Sequence, residues 1–117
     1  MAETMVLVTG GFDPIHSGHI AYLKSARMLG DRLIVGVNSD EWLIQKKGSA
    51  FLPLNERIEI VSNLSVVDEV IEFENDKYNS AANAITTVLE KYPNHKIIFA
   101  NGGDRNSENI PEMKIHG

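Results

Sequence analysis

The chain has 117 residues, a formal net charge of −5, 43% hydrophobic residues and no cysteine. One domain fits that length, and without cysteine there are no disulfides, thiolate metal sites or thiol nucleophiles. The acidic balance argues against a broad nucleic-acid-binding face. No apolar run has membrane-spanning length and "MAETMVLVTGG" is no secretory leader, so a cytoplasmic protein without membrane contact is expected.

Met5–Val8 is a short apolar run that stops at Thr9-Gly10-Gly11, and it reads as a first strand. From Ser17 to Leu29 the positions Ile20, Leu23 and Ala26 or Met28 have helical spacing, with Gly30 as the stop. Arg32–Val37 is a second buried strand, ended by Asn38-Ser39-Asp40, residue types that close a strand and cap a following helix. "QKKG" reads as a basic loop, with Trp42 either packed beneath it or serving as a ligand platform. A helix starts near Leu54–Asn55 and carries Ile58, Val61 and Leu64 on one side. Glu69–Phe73 is a third strand, "NSAANAITTVLEKY" a helix closed by Pro93-Asn94, and Lys96–Ala100 a fourth strand.

Strands alternating with helices predict an α/β fold: a Rossmann-like open parallel sheet with helices on both faces. In such sheets ligands bind outside the carboxyl ends of the strands. The loops there read "GGFDPIHSGH", "NSD", "ENDK" and "NGGDR", so polar and glycine-rich residues collect on one edge. After Arg105 the chain runs "NSENIPEMKIHG", polar and turn-prone. The expectation is a single domain over residues 1–117 whose segment 105–117 is atypical and which lacks the last strand–helix unit.

The chemistry concentrates in "GGFDPIHSGHI", residues 10–20. A helix starting near Ser17 turns its unpaired N–H groups and positive dipole end toward this loop, a geometry that binds phosphate. Gly10 and Gly11 suit close backbone approach and positive φ. Gly18 leaves space between the imidazoles of His16 and His19, which share a face at a spacing of three. Two imidazole donors beside a helix N-terminus suit a triphosphate whose charge grows in a transition state. The same pair also reads as packing residues or as half a metal site, but no further helical His or Cys ligand accompanies it, so no protein-held metal is expected. The dinucleotide fingerprint GxGxxG is absent.

With "GDRLIVGVNSD", "KKG", "NERIEIVSNLSVVDEVI" and "NGGD" following in order, the chain resembles the cytidylyltransferase-like nucleotidyltransferases, whose signature is HxGH after the first strand. Within that family it looks nearest to the glycerol-3-phosphate cytidylyltransferases and the adenylyltransferase domains of the ADP-heptose pathway. The resemblance implies transfer of a nucleoside monophosphate from CTP, or alternatively ATP, to a phosphorylated small alcohol or sugar, with release of pyrophosphate. It implies Mg²⁺ carried mainly on substrate phosphates, and a homodimer. His16, His19, Lys46 and Arg57 match the catalytic positions; Gly10, Gly11, Phe12, Asp13, Gly18 and Asp104 match the nucleotide-binding ones. Asp13 would orient its loop or assist the metal, while Arg57 would approach the acceptor or triphosphate unless it is a solvated helix residue. Asp68 reads as a structural cap or bridge. Ser65 stands where the cytidylyltransferases carry arginine, and the family's late serine/threonine motif is absent, which leaves a nucleotide-binding module with little turnover as a further alternative.

Overall fold

The computed structural model describes residues 3–73, 82–100 and the two-residue strand 115–116. The elements run β1 (Thr4–Gly10), α1 (Ser17–Arg27), β2 (Arg32–Val37), α2 (Asp40–Lys47), α3 (Leu54–Ser62), β3 (Glu69–Glu72), α4 (Ala82–Lys91), β4 (Lys96–Phe99) and β5 (Ile115–His116). The strand order is β3-β2-β1-β4-β5. The first four strands pair in parallel, with Val6 opposite Leu33 and Ile98, and Ile34 opposite Glu69. The predicted Rossmann-like α/β fold is therefore the observed one. At the far edge β5 pairs antiparallel with β4, Ile97 opposite His116.

Alternation along the strands explains why both faces carry helices. Met5, Leu7, Ile34, Ile97 and Phe99 point to one face, where Ala84, Ile85 and Val88 of α4 cover them. Val6, Val8, Leu33, Val35 and Val37 point to the other, beneath Leu23 and Ala26 of α1 and Val61 of α3. A strand buried on both faces reads as an unbroken apolar run, as "MVLV" and "LIVGV" do. Asp68 behaves as a bridge: it accepts from Leu33 N–H at 2.8 Å and pairs with Arg27 Nε at 3.2 Å. On the α4 side, Lys91 and Tyr92 Oη both donate to Glu69, tying the edge strand to the helix.

One element differs from the sequence-based expectation. Gln45-Lys46-Lys47 is not a loop but the last turn of α2, which Gly48 ends in a left-handed conformation at φ 90°. Ser39 Oγ caps its start by accepting from Trp42 N–H at 3.1 Å.

The chain moves outward from β1 to β2 and β3, then returns to place β4 on the other side of β1. The carboxyl end of β1 is thus the switch point in strand order, where open α/β sheets bind ligands. Burial of Leu23 (0% exposed) couples α1 to this core. Leu23→Ala should cost about 2–5 kcal/mol in urea denaturation, whereas Leu29→Ala, at a position 54% exposed, should cost about 0.5 kcal/mol or less.

Candidate active site

The loop after β1 folds its own side chains inward before it presents any outward. Phe12 is buried and adopts φ 52°, a left-handed backbone uncommon for a bulky residue. Its ring lies beneath Gly10, where an added Cβ would come within 2.9 Å of it. Gly10 and Gly11 themselves do not take the positive φ expected of them; Phe12 does. Gly11 instead makes room for α2, since a Cβ there would meet Leu43 at 2.8 Å.

His16 is the N-cap of α1, and its Nδ1 accepts from Gly18 N–H at 3.1 Å. In return His19 Nδ1 accepts from His16 N–H at 3.1 Å, completing a reciprocal capping box made of two imidazoles. The backbone donors of this helix start are therefore partly spent inside the turn, which corrects the expectation that they face the ligand unpaired. Neutral imidazole has one donor and one acceptor nitrogen. With both Nδ1 atoms accepting, the hydrogen-bond pattern assigns the ring protons to Nε2 on both residues. The rings lie 4.0 Å apart between centroids, and Phe12 meets His19 edge-on at 5.2 Å from below. Gly18 supplies the space predicted for it, because a Cβ would come within 2.9 Å of the His16 ring. The result is a pair of adjacent N–H donors at the end of β1, His16 exposed and His19 half-buried.

Asp13 faces inward. Its carboxylate accepts from Phe51 N–H (2.6 Å) and Leu52 N–H (2.5 Å), and Lys47 Nζ lies 3.1 Å from it while donating to its carbonyl at 2.8 Å. Burial pushes this carboxyl up, but the two backbone donors and Lys47 outweigh it and hold the pKa below the ordinary value. Of its two expected tasks, the geometry shows loop orientation; both carboxylate oxygens are already engaged.

Arg57 is no solvated helix residue: it is 0% exposed. Nε donates to Leu52 O (3.0 Å), Nη1 to Gly11 O (2.9 Å) and Asn38 O (2.6 Å), and Nη2 to Asp40 Oδ1 (2.5 Å). Lys46 lies on the exposed side of α2 with its ammonium 5.0 Å above the Trp42 ring, so Lys47, not Lys46, touches the loop after β1. Tyr22 Oη reaches Ala100 O at 3.3 Å and ties α1 to the end of β4. The roles of Asp40, Lys47 and Tyr22 were missed in sequence because each depends on contacts between distant segments. Asp104 lies outside the described residues, as do the expected loops "ENDK" and "NGGDR". Among the described residues no three or more His, Cys, Asp or Glu side chains gather as a metal site, and no helix is long and apolar enough to cross a membrane.

The structure thus places the HxGH turn at the switch point of a parallel sheet, with the imidazoles of His16 and His19 side by side there. The chain belongs to the cytidylyltransferase-like family, whose model matches residues 7–112. It is 40% identical over 114 residues to the bifunctional protein HldE of Proteus mirabilis, covering 96% of this chain and 22% of that protein. To HldE of Escherichia coli O1:K1 it is 38% identical over 113 residues, covering 87% of this chain and 24% of that protein. The chain thus spans about a quarter of the length of these curated relatives. Its fold is shared with the lipopolysaccharide core biosynthesis protein of Thermoplasma volcanium, at a TM-score of 0.63 and 24% identity over 90% of this chain and 100% of that one.

Acid should undo the imidazole cap, because a protonated Nδ1 cannot accept a backbone N–H. Burial, and then the neighbouring His16, hold the His19 pKa below its ordinary value. Neutral His19 therefore stabilises the turn fully above the unfolded-state value of about 6.5. That contribution is lost as pH falls through the lower folded-state value. The protection factor of the His16 amide in hydrogen exchange should be high at neutral pH and collapse in acid; unchanged protection down to about pH 4 would contradict the cap.

Proposed function

We propose that this chain is an adenylyltransferase-type domain that moves AMP from ATP to a phosphorylated sugar and releases pyrophosphate. The observation that carries the reaction class is the pair of adjacent Nε2–H donors on His16 and His19 at the sheet's switch point. In the reaction an acceptor phosphate oxygen attacks the α-phosphorus. A new P–O bond forms, the bond to the β-phosphate bridging oxygen breaks, and its electron pair leaves with pyrophosphate. Little covalent work falls to the protein, so it positions the reactants and neutralises developing charge. The two imidazoles donate through Nε2–H to the phosphate oxygens as that charge rises. Of the two lysines on the last turn of α2, Lys47 is engaged by Asp13, so the exposed Lys46 is the one that would swing toward a phosphate.

Mg²⁺ fits this site as a companion of the nucleotide rather than a resident ion. The carboxylate of Asp13 is occupied by Phe51, Leu52 and Lys47, which leaves the metal to the substrate phosphates, where it would neutralise charge. ATP is preferred over the CTP expected from sequence because the HldE relatives belong on the ADP-heptose side of the resemblance.

Pyrophosphate release should be measured with ATP and with CTP, each with a panel of sugar phosphates. ATP should support the faster reaction, and His16→Ala or His19→Ala should each lower kcat by about 10²–10³-fold. Release that is indifferent to both substitutions would overturn the assignment. Nucleotide binding in calorimetry with no release from any pairing would make the domain a binding module.

A further inference from the structure

Arg57 is the one ionisable residue, among the described residues, whose whole surface is enclosed. Removing a guanidinium from water costs several kcal/mol unless its donors and charge are satisfied. Here the partners come from three separate segments. Gly11 lies between β1 and α1, Asn38 and Asp40 at the end of β2 and the start of α2, and Leu52 between α2 and α3. Leu52 is gripped at both polar groups, its N–H by Asp13 and its C=O by Arg57. Asp13 and Gly11 flank Phe12, and Phe12 in turn supports His19. The loop that sets the imidazoles is thus cross-linked to α2 and α3 through one anion and one cation.

Resting on the nucleotidyltransferase reading above, we propose that Arg57 is a positioning residue: it fixes the HxGH turn against α2 and the Leu52 segment, and does not contact the nucleotide or acceptor. Its donors are aimed at protein carbonyls and Asp40, and it has no open face for a ligand. Displacing a reacting group by about 1 Å costs on the order of 10² in rate. A lysine cannot replace it, since a single ammonium cannot reach acceptors on three segments at once.

The test uses the full chain with Arg57→Lys and the milder Asp40→Asn, which keeps the three carbonyl acceptors and removes only the counter-charge. Each is assayed well below its own melting temperature, with circular dichroism confirming the fold. Arg57→Lys should lower kcat by about 10²-fold with KM for nucleotide and acceptor within about 3-fold of wild type. Asp40→Asn should move kcat in the same direction by less, and both variants should shift the ¹⁵N resonances of the His16 and His19 rings. Folded variants with wild-type kcat and ring resonances would reduce Arg57 to a stability element. A KM raised tenfold with kcat retained would make it a ligand contact; either result overturns the proposal. If wild type releases no pyrophosphate, the functional reading fails while the ring resonances still decide whether Arg57 sets the turn. Should Arg57→Lys not fold, Asp40→Asn decides by the same criteria.

Discussion

A cation with no access to water has to be compensated entirely by its surroundings, and at Arg57 that requirement fixes the geometry of the site. The guanidinium is planar and its donors point in set directions, so the acceptors must come to it. Gly11, Asn38, Asp40 and Leu52 do so from three parts of the chain. The strands alone would leave these connections free to vary. With the guanidinium between them, the loops at the carboxyl edge of the sheet acquire one relative arrangement.

A second, smaller network repeats the logic with the opposite sign. Asp13 is a carboxylate almost fully enclosed, with 1% of its side chain exposed, and it draws in two backbone N–H groups and one ammonium. The imidazole pair extends the same economy. Each ring takes a backbone donor on its inner nitrogen and presents a donor on its outer one, so the turn's own polar groups fix the tautomer. Backbone N–H groups that would have met a ligand directly act through a ring instead. The paired donors thereby stand farther from the backbone than the helix end itself.

The centre of the sheet was legible in the sequence because β1 and β2 are buried on both faces and read as continuous apolar runs between glycine and polar stops. The helices α1, α3 and α4 were legible because each has one apolar side. Helix α2 was not: only Leu43 of its eight residues is buried, so it has no apolar stripe to recognise. Its ends did carry a signal, in Ser39 as cap, Asp40 and Glu41 in the first turn, and Gly48 after two lysines. His16 and His19 could be singled out from their spacing, but their mutual capping could not, because histidine is an unusual N-cap. The burial of Arg57 was invisible for a different reason. A lone arginine on an amphipathic helix is ordinarily solvated, and only the acceptors supplied by distant segments reverse that.

The edge strand β3 has a consequence for association. It is four residues long, Glu-Val-Ile-Glu, and its outer rim has no partner among the described residues. An open rim of this kind invites a strand from another molecule to add to the sheet. Here both ends of the rim carry a carboxylate, but only Glu72 is exposed; Glu69 is half-buried and paired with Lys91. Glu69 is also fastened to the end of α4 through Lys91 and Tyr92. Any strand added at this rim would therefore run beside Glu72 at one end and beside the Glu69–Lys91–Tyr92 contact at the other.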